Sequence, residues 1–170
     1  MTARYLDSGI CAADLAGAES LFPTEMFADV FSLAKRMDVP YTIHAGEAAG
    51  HVSGPDSIRA ALQMGAQRLG HGVLAIQDPA LVKELAARQI ALEVSYTSNV
   101  QTKAFPIAAE HSLGRLYQAG VHVTINTDNR TVSNVNLQKE IGRVKRAFGF
   151  TEQDIAVMKQ YAREAAFCKL

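Results

Sequence analysis

Five short apolar runs, each closing on a polar residue, recur along the 170-residue chain: Gly9 to Ala13, Val39 to Ile43, Arg68 to Gly70, Ile90 to Val94 and Val121 to Ile125. Each is too short for a helix and is partly β-branched, so all five are expected as buried strands. A polar residue capable of acting as ligand, acid or hydrogen-bond group follows each run, in turn Asp14, His44, His71, Ser95 and Asp128, at intervals of about 30, 27, 24 and 33 residues, close to one βα unit apiece. Amphipathic segments lie between them. Met26, Phe27, Val30, Phe31 and Ala34 share one helical face, as do Leu81, Val82 and Leu85, and then Leu137, Ile141, Val144 and Phe148. Asp78-Pro79 and Pro55-Asp56 mark helix starts, and Thr151 with Asp154 forms a capping box. Alternating strand and helix predicts an α/β fold with a parallel sheet covered on both faces.

A (β/α)8 barrel gathers the carboxyl ends of its strands around one pocket, whereas a doubly wound sheet brings together only those near its switch point. Five polar strand ends favour the barrel, and no Gly-x-Gly-x-x-Gly follows any strand. Five units are present where a barrel has eight, and three more would bring the chain near the usual length of about 250 residues. The expectation is therefore a partial TIM (β/α)8-type barrel holding strands 4 to 8, with the first three units absent, as a single domain over residues 1–170.

Charge excludes some partners. Seventeen basic residues balance seventeen acidic ones, so no net field draws the chain to nucleic acid or an anionic membrane. No apolar run of about eighteen residues exists to span a bilayer. Cys11 and Cys168 stand at opposite ends with no signal-peptide pattern ahead of them, which fits a cytoplasmic protein.

The strand ends carry the chemistry. In YTIHAGE, Tyr41 to Glu47, an apolar run reaches a histidine, and a glutamate follows three residues later. The ordered series DLAG (Asp14 to Gly17), HAGE (His44 to Glu47), LGHG (Leu69 to Gly72), LEVSYTSNVQT (Leu92 to Thr102) and NTDN (Asn126 to Asn129) resembles the adenosine deaminase family of metal-dependent amidohydrolases. The likeness runs from about residue 9 to the C-terminus and covers the second half of that family's barrel.

The resemblance implies hydrolytic removal of an aromatic 6-amino group, with Zn2+ lowering the pKa of bound water from 15.7 to about 7. It implies His44 and Asp128 as zinc ligands, Asp128 also orienting the water. Glu47 is implied as the acid that protonates purine N1, and His71 as the histidine that orients the attacking oxygen. Gly17 is implied to offer its backbone N–H to purine N3, and Asn129 an amide donor to N7.

Plainer readings stand beside these. His44 is weighed as a core histidine, Glu47 as a solvated charge and Asp128 as a turn residue, and in each case the motif favours the site. Asp14 is expected as a hydrogen-bond acceptor at the barrel mouth. His51, His111 and His122 are given no catalytic role, and Arg143, Lys145 and Arg146 are read as a solvated helix face.

Ser95-Tyr96 stands where Cys-Pro is frequent in the family, and Asn129 where a second aspartate is frequent. The family's His-x-His zinc pair is absent from the sequence, and with two of the usual three or more protein ligands the chain alone is expected to hold Zn2+ weakly or not at all. Both outer strands of a broken barrel leave backbone groups unpaired. A self-associating homo-oligomer, or pairing with an N-terminal half-barrel chain, is therefore expected. The expected function is deamination of adenosine to inosine and ammonia by a fragment or half of the enzyme. The alternatives are an inactive half-barrel that self-associates or binds purines, and a related adenine or AMP deaminase.

Overall fold

Five parallel strands pair in strictly consecutive order, β1 (Ala13–Leu15), β2 (Tyr41–Ala45), β3 (Arg68–His71), β4 (Ala91–Val94) and β5 (His122–Ile125). In this computed structural model, residues 1–168 are described apart from Asp7, Ala49, His51 and Pro106, so the reading of His51 lies outside the described residues. Consecutive parallel order has no switch point. It is the order of a barrel wall rather than of a doubly wound sheet. The helices are α1 (Ala28–Arg36), α2 (Gly54–Gln63), α3 (Pro79–Ala87), α4 (Tyr96–Gln101), α5 (Leu113–Gln118), α6 (Arg130–Ser133), α7 (Leu137–Phe148) and α8 (Glu152–Glu164).

Local chemistry sets the starts of these helices. Asp78 accepts from the Ala80 and Leu81 N–H groups ahead of Pro79, and Ser53 accepts from Asp56 N. Thr151 and Asp154 form the expected reciprocal capping box. Two strand positions depart from expectation. The first strand is Ala13–Leu15 rather than Gly9 to Ala13, because Gly9 turns at φ +100° and pairing with β2 begins only at Ala13. The second starts at Tyr41 rather than Val39, since Pro40 has no N–H to donate to a ladder, and it runs on through His44 to Ala45.

Side chains alternate across the sheet. Ile43, Ala45, Leu69, Leu92, Val94 and Val123 join one apolar core with Leu81, Leu85 and Val144. The opposite face is polar: Thr42 donates to Arg68 O at 3.2 Å, and Arg68 Nε lies 2.7 Å from Glu93 Oε1. The apolar packing is thus concentrated on one face of the sheet.

The expected face of α1 also divides. Phe27, Phe31 and Ala34 pack against the core, but Met26 and Val30 do not. Val30, Leu33 and Met37 recur at helical spacing as an apolar strip along α1 and its C-cap, and Leu21, Phe22 and Met26 are exposed as well, all six between 48% and 66%. On α7, Val144 is buried while Leu137 stays exposed. No helix among the described residues is long and apolar enough to cross a membrane.

Candidate active site

His44 is the penultimate residue of β2 and sits opposite Gly70 in the parallel register. Its Nδ1 lies 2.9 Å from Leu15 O and 3.1 Å from Asp14 Oδ1. Both partners only accept, so Nδ1 carries the proton and Nε2 keeps its lone pair. Burial opposes charging of this imidazole, but the hydrogen bond and charge of Asp14, with the Leu15 carbonyl and Glu93, raise its pKa above the ordinary histidine value. Asp14 is the acceptor at the mouth that the sequence suggested, and its object is His44.

His71 closes β3 in a left-handed conformation, φ +61°, followed by Gly72 at φ +65°. A Cβ at Gly72 would approach Leu92 Cδ2 to 2.6 Å, so the glycine is required twice over. Two left-handed residues in succession turn the chain sharply and leave the imidazole 3% exposed. Desolvation lowers its pKa, opposed by Glu47, reinforced by His44 and opposed again by Asp128 and Glu19. These charges bear on one ring, and the His44 and His71 rings stand 5.1 Å apart, edge to face.

Glu47 lies in the loop after β2. Its Oε1 accepts from Asn99 Nδ2 at 2.8 Å and from Thr102 Oγ1 at 3.0 Å, while Oε2 lies 3.4 Å from His71 Nε2. Asp128, at φ +51°, accepts from Ser98 Oγ at 2.7 Å. The sequence placed Asp128 and Glu47 at separate strand ends, and the adjacent residues Ser98 and Asn99 of α4 hold both. Asn129 begins α6, where its Oδ1 accepts from the Thr131 and Val132 N–H groups. That oxygen is committed to the helix, which leaves Nδ2 as the atom able to meet a ligand. Gly17, at φ +148° with open space beyond its Cα, lines a small cleft with Leu15, Phe22, Phe27 and His44.

Four residues of the site were not singled out from the sequence. Glu19 accepts from the backbone N–H groups of Gly46, Glu47 and Ala48 at 2.5, 3.0 and 3.0 Å, and from Ser57 Oγ at 2.5 Å. It pins the HAGE loop from 27 residues upstream. Glu140, fully buried, accepts from Thr97 N and Oγ1 and fixes the start of α4. Asn99 lay inside a quoted motif yet received no role of its own. His111 was set aside, but it is 2% exposed and reaches Asn99 as well as capping α5 through Leu113 N. His122, by contrast, stacks on Tyr161 at 3.8 Å, far from this chemistry in role. Of the run read as a solvated helix face, Arg146 is exposed and Lys145 pairs with Glu152, but Arg143 is half-buried and donates to Thr97 Oγ1.

Among the described residues no group of three His, Cys, Asp or Glu stands close enough to hold a metal ion. Two donors still suit one. A metal-binding imidazole ordinarily donates its other N–H to a carboxylate or carbonyl, as His44 does to Asp14 and Leu15.

Comparison with known proteins bears on the family and the fold. The adenosine deaminase family profile matches residues 1–170. The adenosine deaminase of Lacticaseibacillus casei is 40% identical over 166 residues, 98% of this chain and 48% of that protein. The chain therefore spans about half the length of the curated relatives it matches. A crystal structure of adenine deaminase from Arthrobacter aurescens superposes with a TM-score of 0.87 at 23% identity, covering 98% of this chain and 52% of that one. An amidohydrolase from Burkholderia ambifaria, determined with bound Zn, gives 0.84 at 22% identity, covering 98% and 47%. At these identities the two structures speak to the fold, a partial (β/α)8-type barrel.

Proposed function

The chain belongs to the adenosine deaminase family, and from that premise we propose that it forms the proton-handling half of a barrel that converts adenosine and water to inosine and ammonia. The observation that supports this most is the meeting of Glu47 and His71 on Asn99, which draws two catalytic candidates from different strand ends into one contact. Water adds to C6 of the purine, a proton goes to N1, and the amino group leaves as ammonia. Glu47 suits the N1 proton: its Oε1 already receives two hydrogen bonds, so Oε2 is the oxygen that carries and delivers it. His71 donates through Nε2 toward the same region and holds the attacking oxygen in place. Gly17 leaves backbone exposed along the cleft for the purine edge, and Asn129 Nδ2, its Oδ1 being committed to the helix, is assigned to a purine ring nitrogen.

His44 and Asp128 fit as two protein ligands of Zn2+, which when bound supplies a water acidified to near neutrality. A catalytic zinc takes at least three protein ligands. The others are assigned to a complementary N-terminal half, docked along β1 and the apolar strip of α1. Residence in the cytoplasm fits the two free, exposed thiols, Cys11 and Cys168.

Ammonia release from adenosine, measured with this chain alone and after adding the N-terminal half of a related deaminase, tests the proposal. Release only from the mixture is the expected result. Release from neither, in a mixture that forms a stable complex with stoichiometric zinc, would overturn it in favour of an inactive half-barrel.

A further inference from the structure

His111 sits outside the ring of strand-end residues, on the segment that leads into α5, packed among the rings of Tyr96, Phe105 and Phe148. Its two ring nitrogens face different partners. Nδ1 lies 3.1 Å from the backbone nitrogen of Leu113, and Nε2 lies 3.2 Å from Asn99 Oδ1. A backbone N–H can only donate, so Nδ1 must hold a lone pair and the ring proton must reside on Nε2. Burial supports the neutral form, pushing the pKa of His111 down to about 4.

The consequence passes through Asn99, which is completely buried. Because His111 Nε2 donates, Asn99 must turn its oxygen toward it. The amide nitrogen then faces Glu47 Oε1 at 2.8 Å and His71 Nδ1 at 3.0 Å. Nδ2 has two protons, one for each. A donor at His71 Nδ1 requires a lone pair there, which leaves the His71 proton on Nε2, facing Glu47 Oε2 at 3.4 Å.

We propose that His111 is a positioning residue which, through Asn99, fixes the His71 tautomer and the orientation of Glu47 while Glu47 changes protonation state. This rests on the deaminase reading, in which Glu47 alternates between acid and carboxylate. As a carboxylate, Glu47 would by itself hold the Asn99 amide in place. As a carboxylic acid it can donate, and a reversed Asn99 would then satisfy it equally well while drawing the His71 proton to Nδ1. Only His111, whose donor is set by the backbone at Leu113, keeps the amide from reversing. The substrate-facing N–H of His71 is thereby preserved through the cycle.

The test reads tautomers directly, by long-range proton–nitrogen correlation spectra of the 170-residue chain labelled with 15N-histidine. Wild type is expected to carry the proton on Nε2 in both His71 and His111. His111→Phe keeps an aromatic ring in the cluster and removes the donor, and combined with Glu47→Gln, whose amide can donate as a carboxylic acid does, it is expected to show His71 as a mixture of both tautomers. His111→Gln, whose amide nitrogen replaces Nε2, is expected to restore the single form. A cooperatively folding His111→Phe, Glu47→Gln chain that keeps a pure Nε2–H His71 would overturn the proposal, as would a wild-type spectrum with either proton on Nδ1. Should His111→Phe fail to fold, Asn99→Asp serves instead: the introduced carboxylate can only accept, so the His71 proton is expected on Nδ1, and retention on Nε2 overturns the proposal. Tautomers as described with no ammonia release in the complemented assay would leave this relay standing and remove the deaminase reading. The reverse result would do the opposite.

Discussion

Gly70 lies directly opposite His44 in the β2–β3 ladder, and a Cβ at Gly70 would stand 2.7 Å from His44 Cγ. The imidazole therefore lies across its neighbour's backbone. Gly70→Ala is expected to push the ring away from Asp14 and Leu15, with a loss of about 1–3 kcal/mol typical of overpacking. Urea unfolding reads the stability, and the His44 ring nitrogen shifts read the broken contacts; an unchanged pair of values would show that the ring has room to move.

Glu19 satisfies three successive backbone N–H groups of the loop that carries Glu47. Removal leaves partly buried donors without partners, and Glu19→Ala is expected to lower stability by about 3 kcal/mol. The loop bearing Glu47 should also lose hydrogen-exchange protection at Gly46 to Ala48. Loss of stability with protection intact would contradict the pinning of this loop by Glu19.

The pKa of His111 implies a pH window. Its folded-state value of about 4 lies below the ordinary 6.5, so as pH falls through 6.5 the unfolded chain takes up a proton that the native chain refuses. This residue's contribution is complete above pH 6.5, is lost progressively down to about pH 4, and amounts to about 3 kcal/mol in all. The neighbours facing the ring are Tyr96, Phe105, Phe148 and Asn99, and His71 is the charged group that acts on it. Unfolding free energies of wild type and His111→Gln, compared from pH 7 to 4, should converge as pH falls; parallel curves would contradict the assignment.

Val30 and Leu33 on α1 are apolar and exposed, and β1 is an edge strand of the sheet. If the complementary half docks there, Val30→Glu with Leu33→Glu should weaken the complex at least roughly tenfold, about 1.4 kcal/mol, in a sedimentation titration. Weakening confined to self-association of this chain, with no heterocomplex formed, would favour the homo-oligomer.

The strand-end residues were legible because a polar group after a short apolar run departs from what a buried strand tolerates. His44, His71 and Asp128 stood out in this way and Glu47 through the HAGE motif; the structure joins Glu47 to His71 through Asn99, sets the His44 ring beside that of His71, and holds Asp128 from Ser98. Glu19, Asn99 and His111 did not. Each acts on a partner distant in sequence, Glu19 on Gly46 at 27 residues, Asn99 on His71 at 28 and His111 on Asn99 at 12, and such a side chain has no local pattern that names its partner. The first strand was misplaced for a similar reason, since an apolar run around Gly9 gives no sign of the left-handed turn that keeps it from pairing. The exposed half of α1 was hidden because an apolar helical stripe reads the same whether it faces this chain's core or another chain.

The central claim is that Glu47 supplies the proton on which deamination depends. Glu47→Gln keeps an acceptor for Asn99 and Thr102 but has no acidic proton, so it separates chemistry from architecture. Ammonia release from adenosine in the zinc-loaded, complemented complex should fall at least about 100-fold in this variant with the complex intact. A rate equal to wild type would contradict the account.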